Sequence, residues 1–213
     1  MKVIGLTGFA KSGKSTAAEI LKSMGGQEVA FAKHLKDVCS VVLSIPRSHF
    51  DDQAYKEVKF SQSVNLYQWE IEQILKYFEV PVRLHPASVL KHQGTGLTSP
   101  RHVAQYIGTE LLREIDTDIH IKMAFKLNEG SGAEFLICSD VRFANEMKAV
   151  RNGSGMVLGI SRKAATPENI ENLHPSEREI PSLIEGSTFV IRNESTIQEF
   201  QESVKKHALM FLK

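Results

Sequence analysis

The stretch GFAKSGKST, residues 8–16, constrains the fold of this chain more than any other feature. Gly8, Gly13, Lys14 and Ser15 match the pattern of glycine, any four residues, then Gly-Lys-Ser. The apolar segment KVIGLT precedes this stretch, and STAAEILKSMG, with apolar residues at helical spacing, overlaps its end. A strand, a glycine loop and a helix in this order direct backbone N–H groups toward one point. The sequence therefore predicts a loop that binds phosphate.

The polar residues of this loop have predicted tasks at a nucleotide triphosphate. Lys14 supplies charge to the β- and γ-phosphate oxygens, and Ser15 is the predicted ligand of Mg²⁺. Thr16 adds a hydroxyl beside the α-phosphate, while Lys11 places a second cation either on phosphate or in solvent. Ser12 completes the predicted ATP-binding set together with the glycines.

Five segments are apolar and rich in β-branched residues, which predicts strands at 2–7, 28–31, 134–139, 156–161 and 188–192. Most are apolar on both faces, as a parallel sheet covered by helices requires. The predicted fold is therefore α/β, a three-layer α/β/α P-loop NTPase with a five-stranded, mostly parallel sheet. Ser195 and Gln198 predict a capping box for a closing helix.

The length of 213 residues favours a single domain over 1–213. The long interval between the second and third predicted strands exceeds an ordinary crossover, so a helical insertion is expected at about 45–125. A polar, proline-bearing segment at about 163–181 suits a lid.

Charge and cysteine content restrict the partners of the chain. Lysine and arginine total 26 against 25 acidic residues, which gives no general reason to expect nucleic acid or an anionic membrane as partner. Cys39 and Cys138 lie in apolar surroundings without zinc spacing, so both are predicted to be buried free thiols. No apolar run suggests a leader or a membrane span. A cytoplasmic location is the expectation.

Polar residues follow the predicted strands at their carboxyl ends, where ligands bind in open α/β sheets. Asp140 follows an apolar run in EFLICSD, and is predicted to orient the metal or the acceptor; a helix N-cap is the alternative. The further candidates near strand ends are Arg142, Glu146, Arg162, His174 and Glu177.

A second phosphate site is indicated by the segment SPRHVAQYIGTELLREIDTD. Arg101, Gln105, Thr109 and Arg113 recur every four residues along a slowly rotating stripe. Gly108 costs about 1 kcal/mol relative to alanine inside a helix, which predicts a close approach there. A solvated helix face would explain the charges but not the glycine.

The chain resembles the phage deoxynucleoside monophosphate kinases of the adenylate-kinase-like group. The resemblance covers nearly the whole chain and rests on GFAKSGKST, FAKHLKDV, FDDQAYKE, SPRHVAQYIGTELLREID, ICSDVRFANE, ISR and HPSE, in this order. It implies transfer of the γ-phosphoryl group of ATP, with Mg²⁺, to a deoxynucleoside 5′-monophosphate. It also makes a homodimer plausible and, if the gene is a phage gene, places the enzyme in the host cytoplasm.

The same resemblance implies a distribution of roles. Lys14 and Ser15 would hold the donor phosphates and the metal; Asp140 and Arg142 would lie between donor and acceptor. Arg162 and the segment containing His174 and Glu177 would close over the site. The implied acceptor contacts are Arg101, Gln105 and Arg113, with Phe31, Lys33 and Glu146 as further candidates.

Two residues, Ser15 and His120, depart from the family pattern. Many members carry Asp where this chain has Ser15, which returns the loop to the general P-loop form. Many members have a tryptophan near the position of His120, so base selectivity is left open, including acceptance of a modified base. Trp69 lies in an amphipathic segment and is expected to pack rather than to stack on a base.

Two other functions stay open at this point. KVIGLTGFAKSGKSTAAEIL would also suit a dephospho-coenzyme A kinase, although that family has an Asp-rich turn where FAKHLKD stands here. A regulatory P-loop NTPase would be expected to carry an Asn-Lys-x-Asp motif, which the sequence lacks.

Overall fold

The computed structural model describes residues 2–213. Its strands are β1 (Lys2–Thr7), β2 (Gly26–Val29), β3 (Val64–Asn65), β4 (Gly96–Leu97), β5 (Phe135–Cys138), β6 (Met156–Ser161) and β7 (Phe189–Arg192). Five of them form a wholly parallel sheet in the order β2-β5-β1-β6-β7. The predicted α/β sheet is therefore confirmed.

The α-helices follow in chain order, several of them only one turn long. They are α1 (Lys14–Ser23), α2 (Lys33–Val42), α3 (Ser48–Asp51), α4 (Gln68–Tyr77), α5 (Pro86–His92), α6 (Pro100–Gln105), α7 (Arg113–Ile115), α8 (Ile119–Lys126), α9 (Ala144–Asn152), α10 (Pro175–Arg178), α11 (Ile180–Glu185) and α12 (Ile197–Leu212). The segment predicted as a lid thus contains α10 and the start of α11.

Contacts divide the chain into two compact units. The first, called here the sheet unit, comprises 1–31 and 124–213, and the second, the helical unit, comprises 32–123. The sheet unit contains the five parallel strands and the phosphate-binding loop. The helical unit covers most of the predicted insertion.

The central strand β1 shows why the sheet unit has three layers. Its residues Ile4 and Leu6 belong to one buried cluster with Leu21 of α1 and Phe200 of α12. On the opposite face, a Cβ on Gly5 would lie 3.3 Å from Val150 of α9. Because alternate residues of a strand point to opposite faces, the buried middle of β1 must be apolar on both sides, as it is from Val3 to Leu6.

The helical unit has its own apolar core. Its fully buried side chains include Leu66, Ile71, Ile74, Leu75, Leu97, Ile107 and Leu111. Strands β3 and β4 form a two-residue antiparallel pairing within this unit. Trp69, which is expected to pack rather than to stack on a base, is 57% exposed and does not belong to this core.

The helix that begins at Pro100 is not α-helical throughout. Ser99 accepts a hydrogen bond from the N–H of His102 and caps it, as the Ser-Pro start predicts. From Tyr106 to Leu112 the backbone forms a π-helical segment, before α7 resumes the α-helix. Such segments are rare and are frequent at functional sites.

The cap of the last helix differs from the prediction by one residue. Thr196 Oγ1 accepts from the N–H of Glu199 at 3.3 Å, and the Glu199 carboxylate accepts from the N–H of Thr196 at 3.2 Å. The predicted box of Ser195 and Gln198 is therefore wrong, since Thr196 is the N-cap. The pairs Ser195–Gln198 and Thr196–Glu199 have the same spacing, so the sequence alone does not show which residue is the N-cap.

Candidate active site

The loop between β1 and α1 has the backbone conformation that phosphate binding requires. Gly8 has φ of +151° and Gly13 has φ of +115°, and Lys11 also lies in the left-handed region at 64°. A Cβ on Gly8 would lie 2.3 Å from the carbonyl oxygen of Ile160. Only glycine fits there, because neither the backbone angle nor the space accepts a side chain. Alternating backbone conformations of this kind form a concave nest of N–H groups.

Lys14 holds its charge at this loop. Its Nζ donates to the carbonyl oxygens of Gly8 and Phe9, at 2.7 Å each. The Lys14 side chain is half-buried, and these two hydrogen bonds hold its ammonium group against the backbone of the loop. Its task at the nucleotide phosphates stays a prediction.

The loop hydroxyls differ in exposure. Ser15 is exposed and Thr16 half-buried, both in the first turn of α1, and Lys11 is exposed. Thr7 and Ser12 are buried, and within residues 2–213 neither hydroxyl oxygen has a hydrogen-bond partner. Buried hydroxyl groups usually have a hydrogen-bond partner, so these two are available to bind a ligand or a water molecule.

Asp140 lies at the carboxyl edge of the sheet, two residues after β5. Its Oδ1 accepts from the N–H of Phe31 at 2.7 Å, and the next residue, Val141, donates its N–H to Leu6 of β1 at 3.0 Å. These bonds fix the carboxylate beside the end of β1, where the phosphate-binding loop begins. The alternative role of Asp140 as helix N-cap is wrong, since α9 starts after Phe143.

The oxygen donors of the sheet unit fit a magnesium ion that is mainly held by nucleotide phosphates. Among residues 2–213 no group of three or more His, Cys, Asp or Glu side chains could hold a metal. Mg²⁺ in phosphoryl-transfer sites needs only one or two protein oxygens besides water and phosphate. The Ser15 hydroxyl and the Asp140 carboxylate supply hard oxygen donors of this kind.

Two of the predicted residues after β5 have structural partners. The Glu146 carboxylate, 3% exposed, accepts from the N–H groups of Arg142 and Phe143 at 2.7 and 3.2 Å. It therefore caps the start of α9, and its predicted contact with substrate stays a prediction. The Arg142 guanidinium lies 3.6 Å from the carboxylate of Glu177.

Residues after β6 lie against the loop or cap a short helix. Arg162 Nη1 donates to the carbonyl oxygen of Lys11 at 3.4 Å, which brings a guanidinium group to the phosphate-binding loop. His174 Nδ1 accepts from the N–H of Ser176 at 3.3 Å and caps α10. The sheet unit thus brings Lys14, Asp140 and Arg162 to one edge of the sheet.

The candidate acceptor residues fall mostly in the helical unit. Arg101 forms an ion pair with Glu57, and Arg113 donates to the carbonyl of Thr117 at 3.0 Å. Lys33 pairs with Asp37 at 2.8 Å. Gln105 is half-buried in α6. Phe31 belongs to the sheet unit, where its ring is 3% exposed and meets Phe125 edge-on.

The close approach predicted at Gly108 is made by the chain itself. A Cβ at this position would lie 2.7 Å from Leu35 Cδ2 and 3.6 Å from His120 Nε2. His120 is buried, and its Nε2 lies 3.0 Å from the Gly108 carbonyl oxygen. The glycine is therefore explained by packing of α2 and by His120, so it no longer argues for a ligand there.

The cysteines are not nucleophiles of this site. Cys39 and Cys138 are both free and fully buried, as predicted. Burial raises the pKa of each thiol far above its ordinary value, and the nearby carboxylates of Asp140 and Glu146 raise that of Cys138 further. Both therefore stay protonated and unreactive.

The sequence analysis missed one residue that contacts the loop. Asn193 directly follows β7, and its Nδ2 donates to the carbonyl oxygen of Ser12 at 2.8 Å. The rule that identified Asp140 and Arg162, a polar residue after a parallel strand, applies equally here.

Comparison with known proteins gives one curated relative over nearly the full length. The chain is 27% identical over 217 residues to a protein of Acanthamoeba polyphaga mimivirus described as a "putative deoxynucleotide monophosphate kinase", covering 96% of this chain and 94% of that protein. No protein-family model matches the chain.

Two solved structures align with almost the whole chain. One is a dephospho-CoA kinase from Campylobacter jejuni, with 15% sequence identity and a TM-score of 0.47, and the alignment covers 98% of this chain and 96% of that one. The other is a protein from Thermus thermophilus, with 18% sequence identity and a TM-score of 0.49, and the alignment covers 99% of this chain and 97% of that one. No helix within residues 2–213 has the length and apolar character needed to cross a membrane. The phosphate-binding loop and the mimivirus relative support a kinase of the P-loop type, and the resemblance to deoxynucleoside monophosphate kinases is confirmed.

Proposed function

We propose that this chain transfers the γ-phosphoryl group of ATP to deoxynucleoside 5′-monophosphates, which gives the diphosphates needed for DNA synthesis. The observation that carries the proposal is the phosphate-binding loop, with Lys14 held at its mouth by the carbonyls of Gly8 and Phe9. The name of the mimivirus relative, aligned over 96% of the chain, favours a deoxynucleotide as acceptor.

The donor half of the reaction uses residues of the sheet unit. Lys14 would exchange its two carbonyl partners for the β- and γ-phosphate oxygens, and the N–H groups of the loop would bind the same anion. Ser15 and Asp140 would hold Mg²⁺, which neutralises charge that develops on the phosphates. Transfer needs this neutralisation, because both reactants are anions.

Two guanidinium groups support the transfer step in this proposal. Arg162 donates to the carbonyl oxygen of Lys11 in the loop. Arg142 forms an ion pair with Glu177, a residue of the predicted lid segment. Arginine stabilises the spread charge of a transferring phosphoryl group through paired N–H donors. His174 caps α10 in the same segment, and thereby shapes the backbone on which Glu177 lies.

The acceptor contacts proposed for the helical unit are Arg101, Gln105 and Arg113, with Lys33 as a further cation. In the present structure Arg101 is held by Glu57, whose side chain is 59% exposed. An acceptor phosphate would compete with this carboxylate for the guanidinium. Such an exchange costs little, because exposed ion pairs are worth only about 0–1 kcal/mol.

The test of the proposed function is a coupled assay of ADP formation with ATP and Mg²⁺. Each common deoxynucleoside monophosphate, its ribonucleotide counterpart and dephospho-coenzyme A are supplied in turn, with a reaction lacking acceptor as reference. Stimulation by a deoxynucleoside monophosphate supports the proposal. Stimulation by dephospho-coenzyme A alone, or a rate independent of every acceptor, contradicts it.

Lys14→Ala tests the role of the loop. We expect transfer to be abolished while the far-UV circular dichroism and melting temperature stay close to those of the native protein. Lys22→Ala is the matched control, since Lys22 lies on the same helix, exposed and paired with Glu19. Unchanged turnover in Lys14→Ala would remove the loop from the mechanism.

Arg101→Ala tests the acceptor assignment. A charge-assisted contact is worth about 1.5–3 kcal/mol, so we expect the KM for the acceptor to rise about 10- to 100-fold, with the KM for ATP nearly unchanged. Arg83→Ala, at an exposed arginine of the same unit, should leave both constants unchanged. A rise confined to the KM for ATP would refute this assignment.

A further inference from the structure

Most carbonyl groups of the phosphate-binding loop accept hydrogen bonds. Gly8 and Phe9 accept from Lys14 Nζ, and Gly13 accepts from the N–H of Ala17. The remaining two carbonyls with described partners, those of Lys11 and Ser12, accept from side chains outside the loop. These two are consecutive residues at the turn of the loop.

Occupied carbonyls matter because of how a nest of N–H groups binds an anion. Within each peptide unit the C=O and the following N–H point in opposite directions. A donor that holds the carbonyl of Ser12 therefore directs the N–H of Gly13 the other way. For the loop to bind phosphate, such N–H groups must converge before the ligand arrives.

Asn193 is the donor that holds the Ser12 carbonyl, and its own position is rigid. Its Nδ2 lies 2.8 Å from that oxygen. Its backbone N–H donates to Ser161 at 2.8 Å, which extends the β6–β7 pairing by one residue. The amide side chain thus reaches the loop from a strand end fixed by the sheet.

Asn193 also occupies the space that Gly13 leaves open. A Cβ on Gly13 would lie 2.6 Å from Asn193 Nδ2 and 3.2 Å from the ring of Phe200. The glycine before the loop lysine is therefore required by this contact as well as by its φ of +115°. The amide is packed against the residue whose N–H it orients.

We propose that Asn193 is a positioning residue, which holds the Ser12–Gly13 peptide in the orientation that binds the donor phosphates. The inference deepens the proposed function, since it rests on binding of the ATP phosphates at this loop. Asn193 does not touch the reacting atoms in this role. It acts through the carbonyl of Ser12.

The experiment measures binding of Mg·ADP by titration calorimetry to the full chain and to Asn193→Ala. One neutral hydrogen bond corresponds to about a 3- to 10-fold change in affinity, and we expect Asn193→Ala to bind ADP that much more weakly. In steady-state assays the KM for ATP should rise, with the KM for the acceptor unchanged.

Asn128→Ala is the matched control. Asn128 lies in the same unit, and its Nδ2 also donates to a main-chain carbonyl, that of Ala124, at 2.7 Å. Each variant loses one hydrogen bond from an asparagine side-chain amide to a main-chain carbonyl, but only Asn193→Ala loses it at the phosphate-binding loop. Weaker ADP binding in Asn193→Ala alone supports the inference; equal weakening in both variants makes the effect one of stability and overturns it.

Asn193→Asp provides a second measurement that does not depend on the truncated variant folding. The substitution keeps the shape and replaces the donor by a carboxylate, which repels the Ser12 carbonyl when ionised and donates to it when protonated. The ADP affinity relative to the native protein should therefore recover as the pH falls below about 5. A ratio that does not change with pH overturns the inference. If the native protein itself does not bind ADP, the proposed function fails instead.

Discussion

Replacing Gly108 by alanine sets two opposing effects against each other. Alanine is favoured over glycine in a helix by about 1 kcal/mol, so an exposed site would be stabilised. Here the new Cβ would lie 2.7 Å from Leu35 Cδ2, a distance that Cβ contacts do not reach without movement of a neighbour. Leu35 is only 4% exposed in the core of the helical unit, so its side chain has little space to move.

The size of the effect follows from these contacts. Inserting a methyl group into a packed core costs about 1–3 kcal/mol, and the His120 bond to the Gly108 carbonyl, worth about 1 kcal/mol, is strained as well. After subtracting the gain in helix propensity, we expect Gly108→Ala to lower the free energy of unfolding by about 1–3 kcal/mol. Urea denaturation followed by circular dichroism measures this value.

A double-mutant cycle identifies Leu35 as the cause. Leu35→Ala alone should cost about 2–5 kcal/mol, because it leaves a cavity. In that background the clash is gone, so Gly108→Ala should become neutral or stabilising by up to about 1 kcal/mol. If Gly108→Ala stabilises the native protein, or if its cost is the same in both backgrounds, the explanation of this glycine by packing is refuted.

Further predictions concern the thiols and the last helix. Cys39 and Cys138 should not react with a thiol reagent at pH 8 until the protein unfolds. Burial raises both pKa values above the ordinary 9.0, so the stability that the protonated thiols contribute is complete below that value and is lost as the pH rises beyond it. The free energy of unfolding should therefore fall as the pH rises above about 9, and should fall less in the Cys39→Ala, Cys138→Ala double variant. Thr196→Ala should cost about 1 kcal/mol of stability and Thr196→Ser much less, as thermal denaturation will show.

The sheet and the loop could be predicted because each depends on neighbouring residues. The strands β1 and β6 are found at the predicted bounds, since each is a six-residue and mostly apolar run. The bounds of β2 are shifted by two residues, because a short edge strand is defined by its partner rather than by its own pattern. The two-residue strands β3 and β4 carry no pattern that could be recognised.

Contacts between distant parts of the chain could not be predicted. Gly108 was correctly identified as a position of close approach, but Leu35 and His120 come from elsewhere in the chain, and no local pattern names them. Trp69 lies on a helix with an apolar face, yet it falls on the exposed side. The role of Glu146 as a cap is visible in retrospect, since a glutamate three residues after the N-cap is the expected spacing.

The π-helical segment changes what the stripe of Arg101, Gln105, Thr109 and Arg113 can do. In a continuous α-helix four residues advance about 40° beyond a full turn, so the four side chains would spread over about 120°. A π-helix turns only about 82° per residue, so the same step falls about 32° short of a full turn. With ideal geometry the stripe would therefore turn back across Tyr106–Leu112, and its four members would lie within about 65°. One acceptor can be held by residues that share a face in this way, whereas a regular helix would turn Arg113 away from Arg101.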